Sequence, residues 1–357
     1  MLREFGRLDD GRSVHAIALG GASGLQAEIL SYGGVLRQLS VPGPTGRVSV
    51  VLGHADLAAY QPNEDYLGIL VGRFGNRIAR SRFALDGREH LLSANEGRNH
   101  LHGGHLGFGR HLWRISESAA DRLVLEHRSP AGDEGYPGTL DVAASFRLDG
   151  DCLELAYTAT TDAPTPVNLT HHPYFNLAGD AAVPAARQWL RVPADRYLPV
   201  DRELIPTGEI ASVAATPFDF RQPAMIERNA RPPHEQIVRG RGYDHCLVLA
   251  NDADCVAELY SPHSGVAMRI VSDAPAVQFY EGQGLDARHP HLGRGVCLEP
   301  QGFPDAPNRL EFPGAILQPG ETYRRRIRYC FAAVPPHSDW NDAIAALNRC
   351  APEGLAP

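Results

Sequence analysis

Residues 140–161 read "LDVAASFRLDGDCLELAYTATT", and this stretch decides the fold class. Two runs, 140–148 and 152–161, alternate apolar with polar residues, the period of a strand with one buried face. Between them "LDGD" supplies the Asp and Gly that a tight two-residue hairpin turn needs. Similar runs follow along the chain: "RVSVVLG" (47–53), "RLVLEHR" (122–128), "GVAMRIVS" (265–272), "PAVQFY" (275–280) and "TYRRRIRYCF" (322–331). Turns rich in Gly, Asp and Pro separate them, among them "SPAGDEGYPG" and "LQPGET". Helical spacing stands out only in "SDWNDAIAALNR" (338–349), with Trp340, Ile344 and Leu347 on one stripe. The expectation is an all-β chain, a large antiparallel β-sandwich over residues 1–335, with a C-terminal tail over 336–357 that is helical in 338–349.

Composition narrows the function. With 36 Gly and 28 Pro among 357 residues, the chain suits a turn-rich β architecture, and 43% hydrophobic content can fill a sizeable core. The net charge is −8 and the 34 basic residues are dispersed, so no basic stripe offers itself to nucleic acid. All of them are arginine. Without a lysine amine, Schiff-base chemistry and a Walker-type phosphate loop are excluded. Six scattered cysteines without C-x-x-C spacing read as free thiols in a reducing compartment. The N-terminus "MLREFGRLDDG" lacks signal-peptide features, and no apolar run approaches the ~20 residues of a membrane span. A cytoplasmic protein, monomeric or homodimeric, without membrane or nucleic-acid partners, is expected.

Several chemistries can be weighed on motifs. "ALGGASGLQAEIL" (18–30) fails the dinucleotide fingerprint because Ala22 stands at the second glycine, and Ser23 misses the nucleophile elbow. "NHLHGGHLGFGRHLW" (99–113) places His100 and His102 two apart, on one face of a strand, with His105 just beyond. A cupin-like metal site would want a Glu shortly afterwards, where Leu106, Gly107 and Phe108 stand, so no metal is expected. His102 abuts Gly103-Gly104, whose missing side chains would let a ligand approach. "GRFGNRIA" sets Asn76 beside Arg77, whose guanidinium can fork onto hydroxyls. Asp244 opens the apolar run "YDHCLVL", and Glu299 sits in "LEPQ", pinned by Pro300. In "NLTHHPYFNLAGD" (168–180), neighbouring side chains of an extended chain face opposite ways, so His171 and His172 cannot both serve one site.

Together these stretches, in the order "GRFGNRIA", "NHLHGG", "GFGRHLW", "NLTHHPYFNLAG", "YDHCLVL", "VQFYEG", "LEPQGFPDAPN", resemble the aldose 1-epimerase (galactose mutarotase) family across roughly residues 4–332. The resemblance implies a sandwich of the galactose-mutarotase type, acting without cofactor on a free aldose such as galactose or glucose. It implies Glu299 as general base and His172 as general acid, with His102, Asn76, Arg77, Asp244 and Gln278 lining the sugar pocket. Hemiacetal opening needs one base for the anomeric hydroxyl and one acid for the ring oxygen, expected on opposite sides of the ring. A Glu near pKa ~4.3 is ready as base, and nearby carboxylates would keep His172 protonated. Two positions depart from the family pattern. His171 and Gln283 stand where relatives often carry Asn, and both are expected behind or at the rim of the sugar. Alternatives are an epimerase of a phosphorylated hexose, which needs an arginine cluster such as Arg73, Arg80 and Arg294, and a non-catalytic carbohydrate-binding sandwich using exposed Trp113, Trp189 or Trp340.

Overall fold

The hairpin forms as strands Leu140–Asp149 and Cys152–Thr161, paired without a break from Leu140↔Thr161 to Asp149↔Cys152. Gly150 takes the left-handed conformation (φ 59°) that closes the turn. In this computed structural model the hairpin sits inside a nine-stranded antiparallel sheet. Its spatial order is Arg114–Ser118, Arg122–Ser129, Leu140–Asp149, Cys152–Thr161, Tyr323–Ala333, Val266–Ser272, Ala257–Tyr260, Trp189–Arg191 and Ala224–Met225. The described residues are 1–350 except Ala22, Ser23, Pro62, Arg231, Pro232 and Asp254. Ala22 and Ser23, on which the dinucleotide and elbow readings turned, lie outside them, as does the end of the predicted tail.

Two five-stranded antiparallel sheets complete the layers. One is a meander from Leu2–Arg7 to Gly46–Ser49; the predicted strand over 47–53 ends early here, and Val51 makes only a single bridge to Phe175. The other orders Ala211–Ser212, Ala194–Tyr197, Asp244–Leu249, Ala276–Tyr280 and Cys297–Gln301. Every second residue of this last sheet, Leu247, Val277, Phe279 and Leu298, joins one core with Phe146, Leu155 and Ile327 of the large sheet. Each such side chain contributes about 1.5–3 kcal/mol on full burial. Its opposite face is covered too: Cys246, Val248 and Ala276 pack beneath Phe74, Ile78, Phe83 and Tyr136. A polar residue on that second face is therefore enclosed.

Arg73 welds the covering loops down. Its side chain is buried and donates to the carbonyls of Ser129, Pro130, Pro137 and Gly138 and to the hydroxyls of Ser129 and Thr165. At the C-terminus, helix Trp340–Cys350 is capped by the Asp339 carboxylate, which accepts the Asp342 N–H at 2.9 Å. Ala343, Ala346 and Leu347 are buried against Tyr260, Ala267 and Val334, and Trp340 meets the Tyr260 ring edge-on at 6.4 Å.

One expectation is corrected. Cys152 and Cys330 stand directly opposite each other on neighbouring strands and are joined as a disulfide. Their separation of 178 residues along the chain hides a pairing that only the sheet register creates. The inference from unpaired thiols to a reducing compartment therefore loses its ground. Thiol titration of the denatured protein without reductant is expected to find four free cysteines, Cys246, Cys255, Cys297 and Cys350, and a count of six would refute the bond.

Several histidines are held neutral by burial: His100, His127 and His172 at pKa about 4, His171 and His245 at about 3. Below pH ~6.5 the unfolded chain binds protons that the fold refuses. Each such histidine then lowers stability by up to about 1.4 kcal/mol per pH unit, down to its folded pKa. Asp244 and Glu299, whose pKa burial raises, act in the opposite sense as pH climbs through the carboxylate range. Urea midpoints are expected to fall steeply from pH 6.5 towards 4, and a flat profile there would contradict this burial.

Candidate active site

Three strands of the second five-stranded sheet build the floor. Register sets Cys246 opposite Gln278 and Gln278 opposite Glu299. With the two-residue period of strands, Asp244, Gln278, Tyr280, Cys297 and Glu299 share one face, the one roofed by loops. The Gln278 amide donates to Asp244 Oδ1 at 2.6 Å. Gln278 and Glu299 are 3% and 1% exposed. Two of their oxygens, Gln278 Oε1 and Glu299 Oε2, are buried acceptors with no donor among the described residues. An unpaired buried acceptor costs about 1–3 kcal/mol, so these atoms call for a hydroxyl-bearing ligand.

The histidine pair divides as alternation requires. His171, on the short strand Thr170–His171, is fully buried and meets the Tyr329 hydroxyl at 3.1 Å, behind the site rather than at its rim. His172 faces the site, its Nε2 3.7 Å from Glu299 Oε1. Its Nδ1 lies 3.5 Å from the Cys297 thiol. Burial pushes that thiol well above its usual pKa, so it stays protonated. With Nδ1 turned to the thiol, Nε2 is the nitrogen that faces Glu299, and an imidazolium that gives up its Nε2 proton keeps the other on Nδ1. Gln283, the second departure, donates to the carbonyls of Gly240 and Tyr243 and so braces the turn before Asp244.

His102 completes the cluster, its ring 5.4 Å from that of His172. Its Nδ1 accepts the Asn76 backbone N–H at 3.1 Å, which assigns the proton to Nε2 and makes that nitrogen a donor. The glycines beside it work differently from the sequence expectation. A Cβ on Gly103 would lie 1.8 Å from the Gly72 carbonyl, and one on Gly104 2.2 Å from the Glu134 carboxylate. They admit close packing of the protein's own backbone, at φ 88° and 103°, rather than a ligand. Arg77 forks onto Glu96 at 2.6 and 2.7 Å and stands 3.8 Å from Asp244, while the Asn76 side chain accepts the Arg77 N–H. Glu96, Cys297 and Tyr66, whose ring sits 4.7 Å from His102, escaped the sequence reading. Glu96 had a signal, since it lies in the same "NEGRNHLHGG" stretch; Cys297 and Tyr66 had none beyond proximity in the fold.

Electrostatics revises the expected protonation. Burial drives the Glu299 carboxyl well above its usual range, nearby Asp244 adds to this, and Arg77 opposes it. Burial likewise lowers His172 to about 4, rather than the neighbouring carboxylates raising it. Asp244 is raised by burial and partly restrained by Arg77 and Gln278. His102 falls well below 6.5 through burial and the nearby His172.

His100, sharing its H-x-H with His102, is spent on structure: Tyr136 hydroxyl at 2.7 Å and the Ser93 carbonyl at 2.8 Å. A metal-type ligand set in the site is instead His102, His172 and Glu299, whose ligand atoms lie within 4.8 Å of one another. The arginines needed for a sugar phosphate are dispersed: Arg73 is caged by carbonyls, Arg294 binds Asp286 at 2.7 Å, and Arg80 is on the surface. Trp113 is buried and Trp189 and Trp340 are half-buried in packing, so none offers an open stacking platform.

Comparison with known proteins identifies the family. The family model described as aldose 1-epimerase matches residues 15–330. The galactose mutarotase of Bos taurus is 41% identical over 321 residues, covering 87% of this chain and 92% of that protein. The aldose 1-epimerase of Escherichia coli (strain K12) is 35% identical over 338 residues, covering 91% and 97% respectively. The crystal structure of galactose 1-epimerase from Lactobacillus acidophilus NCFM superposes with a TM-score of 0.84 at 28% identity, covering 93% of this chain and 98% of that one. Fold, order of motifs and overall likeness converge: the chain belongs to the aldose 1-epimerase family.

Proposed function

We infer that this enzyme interconverts the α and β anomers of a free aldose, with Glu299 and His172 exchanging protons with the sugar. The observation that carries the residue roles is the enclosed pair itself, a carboxylate and an imidazole 3.7 Å apart beside unpaired acceptors. Glu299 takes the proton of the anomeric hydroxyl while His172 gives one to the ring oxygen. The C1–ring oxygen bond breaks and the C1 carbonyl forms. After rotation about C1–C2, the freed hydroxyl attacks the other carbonyl face. His172 now takes that hydroxyl's proton and Glu299 returns one to the carbonyl oxygen. Atoms and protons balance, and the pair ends as it began.

The two reacting oxygens hang on the same carbon. An acid and a base side by side therefore serve them, and the opposite-sides arrangement expected from the sequence is unnecessary. His102, through Nε2–H, and Arg77, Asp244 and Gln278 are suited to hold the remaining hydroxyls by hydrogen bonds, several of them charge-assisted. Glu96, forked onto Arg77, keeps that guanidinium aimed.

The pair works with one proton between its members. A neutral carboxyl beside a neutral imidazole and a carboxylate beside an imidazolium are two placements of that proton. Polarimetry on freshly dissolved α-D-galactose and α-D-glucose is expected to give a bell-shaped kcat/KM. The acid limb falls near pH 4, where the pair gains a second proton, and the alkaline limb falls where the last proton leaves. A profile flat from pH 4 to 9 would count against a one-proton pair.

Glu299→Gln and His172→Asn are each expected to lower kcat by about 10²–10⁴-fold while the far-UV spectrum stays native. His171→Asn is expected to keep the rate within about three-fold and to lose stability instead, since it touches Tyr329 and not the sugar. An unimpaired Glu299→Gln would overturn the assignment of the base.

A further inference from the structure

We propose that His111, His127 and Asp133 form a binding site for a divalent transition-metal ion, separate from the sugar site, on the far side of the loops that Arg73 anchors. One ligand-type atom of each residue lies within 4.8 Å of the others. His111 follows the single turn Phe108–Arg110, His127 stands on strand Arg122–Ser129, and Asp133 lies in the loop after that strand. The two imidazole rings are 4.6 Å apart and inclined by 32°.

The two histidines each keep an open nitrogen among the described residues. The Nε2 atoms of both histidines are shut off from solvent and have no hydrogen-bond partner among the described residues. One such nitrogen is an uncommon cost; two on neighbouring rings, in a cluster with a carboxylate, form a donor set that a cation would satisfy. The Asp133 carboxylate already accepts the Ser129 hydroxyl at 2.6 Å, and that oxygen accepts from Arg73 at 2.6 Å, so the third ligand is oriented from behind. Phe108 and Trp113, with rings 5.1 and 5.4 Å from His127, wall the site. His127 also lines a cavity of about 810 Å³ against the large sheet.

Two imidazoles and one carboxylate favour Zn²⁺, Co²⁺ or Ni²⁺ over Mg²⁺ and Ca²⁺, with water as fourth ligand. Tetrahedral bonds of ~2.1 Å bring ligand atoms to about 3.4 Å from one another, so binding draws the three side chains together by at most about 1.4 Å. The role is structural. Glu134, next to Asp133, accepts the backbone N–H groups of His105 and Leu106, so a tightened 130–135 loop steadies the wall that carries His102.

The test uses untagged full-length protein stripped with chelator and then titrated with Zn²⁺ by calorimetry and Co²⁺ by visible absorption. Expected are one equivalent bound, a tetrahedral Co²⁺ spectrum, and a melting temperature raised by about 5 °C at a hundredfold excess over Kd. His111→Gln, His127→Gln and the milder Asp133→Asn should each weaken binding at least tenfold while leaving metal-free mutarotation at the parent rate. His172→Asn should bind as the parent does. Absence of binding, binding that survives all three substitutions, or binding lost in His172→Asn alone would overturn the proposal, the last by moving the ion to the sugar site.

Discussion

The two-residue alternation of the strands Asp244–Leu249, Ala276–Tyr280 and Cys297–Gln301 is the constraint from which the site follows. Because both faces of this sheet are covered, its apolar residues can fill the core on one side while its polar ones are enclosed on the other. Slip the strand Cys297–Gln301 by a residue and Glu299 would enter the core while Leu298 turned to the polar pocket. The pairing Cys246–Gln278–Glu299 thus has two tasks, holding the sandwich together and placing the Glu299 carboxyl in the pocket. Chemistry and stability share one register.

Enclosure also sets the protonation chemistry. In water a carboxylate and an imidazole separate their proton preferences by about two units. In this dry setting burial reverses the order, holding the carboxyl up and the imidazole down. The neutral pair, carboxyl beside imidazole, is thereby favoured, and the approach of 3.7 Å supplies the attraction that opposes the cost when the proton crosses to the imidazole.

Much of this was legible in the residues. Alternation and the "LDGD" turn fixed the hairpin at 140–161 almost to the residue, since a two-residue turn tolerates little slack. The same alternation separated His171 from His172. The order of motifs carried the family. What could not be read was whatever depends on contacts between distant segments: the Cys152–Cys330 bond, the thiol beside His172, and the pKa reversal produced by burial on two sides. Gly103 and Gly104 misled for the same reason. Their smallness was visible, but the Gly72 and Glu134 atoms that need it lie some thirty residues away along the chain in each direction.

The disulfide divides the polypeptide topologically. Residues 152–330 become a closed ring, and His172, Asp244, Gln278 and Glu299 all lie within it, whereas Asn76, Arg77 and His102 belong to the free N-terminal arm. In the chain-entropy picture a ring of this length raises the unfolded state by about 5 kcal/mol, against a net stability of roughly 5–15 kcal/mol for an ordinary domain. The part of the chain that carries His172 and Glu299 is thus tethered to itself even when unfolded. Asn76, Arg77 and His102 must be recruited from outside the ring, and assembly of the pocket is the event that joins them.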